Sequence, residues 1–182
     1  MKISPLSISE VLLFEPEVIE DNRGFFCESF NLIEFKRATS RNLSFIQDNY
    51  SKSCKGVLRG LHYQLPPYAQ GKIIQVLQGE VLDIVVDIRK SSSTFGQYVS
   101  QILSSKNKRQ IWIPEGFAHG FLTLSNESLF FYKTTQQYCP QYEKCILWKD
   151  ETLNINWGGE MEYRISSKDL LGENFLKAEV FE

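Results

Sequence analysis

Histidine is scarce in this chain: two in 182 residues, His62 and His119. Cysteine is little commoner, with four residues, Cys27, Cys54, Cys139 and Cys145, and no CxxC pair among them. A core of this size needs no disulfide staples, so the four are expected as reduced thiols in a reducing compartment. No charge of either sign predominates. Lys and Arg number 20 against 22 Asp and Glu, a formal net charge of -2, which excludes a general pull toward nucleic acid or anionic membrane. An anionic ligand must be met by local cations instead. No apolar run approaches the length that spans a bilayer, and the opening "MKISPLSISEVLLFEPEV" places acids and prolines where a signal peptide needs an apolar stretch. The expectation is a soluble, cytoplasmic protein. Walker and Rossmann glycine patterns are missing, so a glycine-rich loop is not the phosphate-binding device. Linkers, repeats and low-complexity segments are missing too, and residues 1–182 read as one domain.

What is present is a globular composition, 42% hydrophobic and 23% charged, with an aromatic share of 13% that suits pleated surfaces. Strand patterns dominate. "VLLFEPEVIED" reads as one extended stretch ending at the turn "DNRG", and "GFFCESF" follows as a strand. "NLIEFKRAT" is the first helical signal. After "LSFIQDNYS" and "VLRGLHYQL" come "GKIIQVLQG", "EVLDIVVDIR", "GQYVSQILS", "QIWIP", "GFLTLS" and "SLFFYKTTQQY", short and separated by turn residues. In "VLDIVVDI", Leu82, Ile84, Val86 and Ile88 alternate with Asp83, Val85 and Asp87. "SSKDLLG" reads as a single helical turn capped by Ser166 or Ser167. Many short strands at regular spacing predict an all-β sandwich, jelly roll or barrel with a few short peripheral helices.

The stretch "GVLRGLHYQ" carries an imidazole and a guanidinium in an apolar strand. Alone, His62 reads equally well as a core histidine with a satisfied hydrogen bond or as a functional group. Arg59 shifts that balance, because arginine is rarely buried without an anionic partner. Period-two geometry places residues three apart on opposite faces. The two can share a site only if the strand twists or bulges, which Gly60 between them permits.

Two spacings then resemble the cupin superfamily. Gly56 and His62, with Lys72 and Gly79, match the spacing of its first motif, and Pro114, Gly116 and His119 match its second. The resemblance implies a jelly-roll β-barrel with a site in its mouth. The positions that hold metal in metal-binding cupins read His62, Gln64, Lys72 and His119 here. A glutamine and a cation are poor donors for a divalent ion, so no metal is expected.

Longer blocks, "DNRGFFCESF", "FIQDNYSKSCKGVLRGLHYQ", "GKIIQVLQGEVLDIVVDIRKSSSTFGQ", "IWIPEGFAHGFLTLSN" and "LFFYKTTQQY", resemble the dTDP-4-dehydrorhamnose 3,5-epimerases. The resemblance runs from about Asp21 to the "SSKD" segment. One departure is Tyr50, where many members have histidine. The resemblance implies a cofactor-independent isomerase acting on a nucleotide sugar, dTDP-4-dehydro-6-deoxy-D-glucose, in dTDP-L-rhamnose synthesis. It assigns His62 as base, Asp169 as the carboxylate that orients it, Lys72 near the keto oxygen, and Tyr132 as acid on the opposite face. Without it, Asp169 reads as a helix cap, Lys72 as a solvated strand-end lysine and Tyr132 as a core aromatic. Substrate-binding positions fall on Arg23, Phe26, Glu28, Gln47, Asn49, Arg59, Lys72, His119, Glu143 and Lys168, with Tyr138 stacking on the thymine. The resemblance further implies a homodimer in which the N-terminal strands cross to the partner, so that "DNRGFF" completes the neighbouring site.

Overall fold

In the computed structural model, which describes residues 1–158 and 161–182, the chain is an all-β jelly roll with two short helices. One sheet holds β1 (Lys2–Pro5), β2 (Leu12–Glu15), β10 (Gln110–Ile113), β7 (Lys72–Gln78), β12 (Glu127–Thr134) and β5 (Gln47–Cys54), in that order. The facing sheet runs β13 (Glu143–Cys145), β6 (Val57–Gln64), β11 (Phe117–Thr123), β8 (Glu80–Asp87) and β9 (Tyr98–Ser104), and β14 (Arg164–Ile165) adds in parallel to β6. The stretch read as continuous, "VLLFEPEVIED", is instead two strands. It breaks around Pro16, which cannot donate to a ladder, and β3 (Val18–Asp21) leaves to form a separate hairpin with β4 (Gly24–Cys27).

Three apolar layers explain the burial pattern. Between the sheets lie Leu13, Ile74, Val76, Ile111 and Phe130 from one and Val81, Val85, Val99, Phe117 and Phe121 from the other. The C-terminal segment covers the outer face of the second sheet, where Ile146, Leu153, Trp157, Phe175 and Val180 pack on Leu58, Leu61, Ile84, Val86 and Leu122. With both faces covered, all seven residues of β11 are buried. The outer face of the first sheet is covered by α1 (Leu32–Thr39), whose Phe35 packs on Phe14, Ile73 and Trp112. Asn31 caps α1 through its side chain, which accepts from the Ile33 and Glu34 N–H groups. Ser166 caps α2 (Ser167–Leu170) in the same way. The four cysteines are unpaired. No helix among the described residues is long and apolar enough to cross a membrane.

The two-residue period determines what faces inward. On β7, Lys72 shares the inner face with Ile74 and Val76, while Ile73 faces out. On β12, Phe130 and Tyr132 face in. On β6 the period is broken. His62 pairs with His119 and Arg59 with Phe121, so three steps on β6 match two on β11. The extra residue turns Arg59 and His62 toward the same cavity, while Leu58 and Leu61 both remain in the outer layer. Gly60 makes the shift possible. Its φ is +127°, and a Cβ there would lie 2.6 Å from Gly120 Cα and 2.8 Å from the His119 carbonyl oxygen.

Gly60→Ala is therefore expected to lower unfolding free energy by about 2 kcal/mol or more. Urea denaturation measures it, and a loss within error of zero would show that the register shift tolerates a side chain.

Candidate active site

The cavity, about 200 Å³ in volume, opens between the two sheets. His62, Arg59, Gln64 and His119 come from the second sheet. Lys72, Tyr132 and Ser51 come from the first, and Tyr138 and Glu143 stand at the rim.

His62 Nε2 lies 2.7 Å from Asp169 Oδ1. Asp169 is buried on α2 and also accepts the Gly60 N–H at 3.3 Å through Oδ2. Burial alone would raise its pKa, but His62 and the Gly60 N–H outweigh that and hold the carboxyl below its ordinary range. Helix α2 thus supplies a permanent anion behind the imidazole, and the Ser166 cap, accepting the Asp169 N–H at 3.1 Å, fixes it there.

Lys72 and Tyr132 are neighbours on adjacent strands, since Thr134 pairs with Lys72 and Tyr132 with Ile74. The Lys72 ammonium has no hydrogen-bonded or ion-paired side chain among the described residues. Burial lowers its pKa to about 8 against the opposing pull of Glu143 and Asp83. For Tyr132, burial and then Glu143 raise the phenol pKa, with Arg59 opposing, so it stays protonated at neutral pH.

At the rim, Glu143 accepts from the Tyr138 hydroxyl at 2.6 Å and pairs with Lys168. Burial raises the Glu143 carboxyl pKa, but Lys168 and Tyr138 outweigh it and the net shift is downward. The Tyr138 N–H donates to Gln47 Oε1 at 2.9 Å, and Gln47 Nε2 donates to Asn49 Oδ1. Arg59 Nε donates to Ser53 Oγ at 3.2 Å, which leaves most of its guanidinium donors for another group. Tyr50 is on the opposite, outward face of β5 and is 77% exposed, so the departure noted there lies away from the cavity.

Arg23, Phe26 and Glu28 do not line this cavity. Arg23 and Phe26 are exposed on the β3–β4 hairpin, where Arg23 pairs with Asp21, and Glu28 accepts from Asn31 at the start of α1. Two residues beside the cavity escaped sequence reasoning. Asp83 is fully buried and its Oδ2 lies 2.8 Å from His119 Nε2, while its Oδ1 has no hydrogen-bond partner among the described residues. Its place between Val81 and Val85 on the inward face was the available signal. Cys145 is the cross-strand partner of His62 on β13, a three-residue strand with no pattern of its own.

The cupin metal positions do not fit a metal. Gln64 accepts from the Cys139 N–H at 2.8 Å and donates to the Tyr68 and Gln137 carbonyls at 2.7 and 3.1 Å, so its amide is fully engaged. Lys72 brings a positive charge, and His119 is already paired with Asp83.

The sequence profile of the dTDP-4-dehydrorhamnose 3,5-epimerase family matches residues 5–177. An enzyme of that name from Shigella flexneri is 54% identical over 181 residues, covering 100% of this chain and 99% of its own. One from Pseudomonas aeruginosa is 50% identical over 181 residues, with the same coverage. A crystal structure of dTDP-6-deoxy-D-glucose-3,5-epimerase from Legionella pneumophila, in complex with dTDP-4-keto-L-rhamnose, superposes with a TM-score of 0.94 at 46% identity, covering 98% of this chain and 94% of that one. On sequence and on fold alike, the chain belongs to the dTDP-4-dehydrorhamnose 3,5-epimerase family.

Proposed function

We propose that this chain is a metal- and cofactor-independent isomerase of one domain. It epimerises carbons 3 and 5 of dTDP-4-dehydro-6-deoxy-D-glucose, giving dTDP-4-dehydro-L-rhamnose for dTDP-L-rhamnose synthesis. The observation that carries the reading is one cavity with a His62–Asp169 dyad on one wall and a protonated Tyr132 phenol on the facing wall.

The ketone at carbon 4 acidifies the protons on carbons 3 and 5. Inversion at either carbon needs a base on one face, an acid on the other and a stabiliser for the enolate oxygen. Asp169 accepts from Nε2–H of His62, which leaves Nδ1 to take the substrate proton. The imidazolium that forms is stabilised by the Asp169 carboxylate. Tyr132 returns a proton from the opposite side, and the Lys72 ammonium meets the oxyanion. Arg59 offers its free guanidinium donors to the diphosphate, and Tyr138 offers its ring to the thymine. Gln47, Asn49, His119, Glu143 and Lys168 complete the binding surface.

The reading extends to a homodimer in the cytoplasm. Four unpaired cysteines suit a reducing compartment. The β3–β4 hairpin lies outside both sheets and exposes Ile19, Phe25 and Phe26, each at 58% or more. A hairpin this apolar suits docking on a second subunit, where Arg23, Phe26 and Glu28 would complete the neighbouring site.

Three outcomes test these assignments. Substrate turned over in heavy water should gain deuterium at both carbons 3 and 5; label at carbon 5 alone would reduce the reaction to a single epimerisation. His62→Asn should slow exchange by about 100-fold or more while substrate still binds, and exchange at the wild-type rate would remove His62 from the role of base. The exchange rate should decline as pH rises through about 8, where Lys72 loses its charge, and Lys72→Met should be slow without that alkaline limb. An unchanged limb in the variant would remove Lys72 from the oxyanion role.

Subunit sharing has its own test. Arg23→Ala and His62→Asn, each inactive alone, should regain activity when their subunits are mixed and allowed to exchange. No regain in a demonstrated heterodimer would place Arg23 outside the partner's site.

A further inference from the structure

Cys145 has no part in the proposed chemistry, yet it stands against the dyad. Leu61 and Ile146 exchange both backbone hydrogen bonds, at 3.1 and 3.0 Å. The next pair along, His62 and Cys145, is therefore a non-hydrogen-bonded pair, the geometry that brings facing side chains closest. The His62 nitrogen, Cys145 sulfur and Asp169 oxygen all lie within 4.8 Å of one another. Asp169 closes the back of this cluster, and the cavity lies open before His62.

We propose that His62, Cys145 and Asp169 form an inhibitory site for a thiophilic divalent cation, zinc, which occupies the dyad and switches the enzyme off reversibly. The donor set is one nitrogen, one sulfur and one oxygen, the mixture zinc accepts at about 2.0–2.3 Å per bond. Hard cations such as magnesium and calcium take oxygen donors, and a site in which two of three donors are thiolate sulfur and imidazole nitrogen does not suit them. A tetrahedral ion needs its nitrogen and oxygen donors about 3.3 Å apart, so the His62–Asp169 separation of 2.7 Å must open modestly. A water molecule would take the fourth position; Cys145 and Asp169 stand outside the cavity lining. These are not the cupin metal positions, since only His62 is common to both sets.

Inhibition follows from where the protons go. In the metal-free protein the half-buried Cys145 thiol donates to the Ile146 carbonyl oxygen, 3.6 Å away. Binding forms a zinc–sulfur bond and releases the thiol proton to solvent. Binding at Nε2 also moves the single ring proton to Nδ1, the nitrogen that would accept the substrate proton. The base is lost without any change in the substrate-binding side chains.

The inhibition rests on the proposed epimerase reading, but occupancy of the site does not, and cobalt separates the two. Cobalt chloride added to metal-free protein should give a thiolate-to-cobalt absorption band in the near ultraviolet, absent in Cys145→Ser and Cys145→Ala. Zinc chloride should abolish deuterium exchange, and EDTA should restore it. Both variants should keep the zinc-free rate while needing at least about tenfold more zinc for half inhibition. A cobalt complex without the thiolate band, or equal zinc inhibition of wild type and variants, would overturn the site.

Discussion

The site depends on two glycines touching. Gly60 and Gly120 let β6 and β11 approach so closely that a methyl group on either would overlap the opposite backbone. That contact accommodates the extra residue on β6, and the extra residue aims Arg59 and His62 at one cavity. With regular alternation the two would lie on opposite faces of the sheet, one of them under the C-terminal segment. The same glycine presents its N–H to Asp169, so a single irregularity aims the histidine and helps to position its carboxylate.

Charge inside the cavity is arranged locally, as the near-neutral composition requires. Arg59 and Lys72 face the lumen, while Glu143, Asp83 and Asp169 lie around them. Lys72 illustrates the balance. Desolvation works against its charge and the two carboxylates work for it, leaving a pKa of about 8. A lysine so placed is charged at neutral pH yet unpaired among the described residues, so its electrostatic capacity is available to a ligand rather than committed to a salt bridge. Glu143 is the contrasting case, since Tyr138 and Lys168 tie it to the rim.

The long strands were legible in the sequence because alternation survives wherever the two faces meet different environments. Ile73 against Lys72, Ile74 and Val76 on β7 is such a case. β11 shows the opposite, with every residue buried because both faces are covered. β1, β13 and β14 carry no signal, being two to four residues long and existing only as edges added to β2 and β6. The candidate site follows the same division. His62, Lys72, Tyr132 and His119 lie in patterned strands and motifs, and the family blocks pointed to them. Cys145 reaches His62 only through pairing between distant segments, which no local pattern encodes. Asp83 was half legible: alternation set it opposite Leu82 and Ile84, but not which face was the lumen. Arg23 and Phe26 carry family positions on a hairpin outside both sheets of their own chain, and Glu28 carries one just after it.

Gln64 indicates how a cupin barrel can work without metal. At a ligand position, its side chain makes three hydrogen bonds to the backbone of Tyr68, Gln137 and Cys139. It thereby anchors the segment that carries Tyr138, which Gln47 holds from the other side. A donor that would have served an ion is used to shape the rim. The Lewis acid's remaining task, stabilising negative charge on a carbonyl oxygen, can pass to an ammonium, because an adjacent ketone already makes the carbon–hydrogen bond acidic. An ammonium leaves a neighbouring imidazole uncoordinated, and an uncoordinated imidazole backed by a buried carboxylate is what proton abstraction requires. On this argument, Gln64 and Lys72, the two residues that spoil the metal site, are the two that would leave His62 free for the proposed role of base.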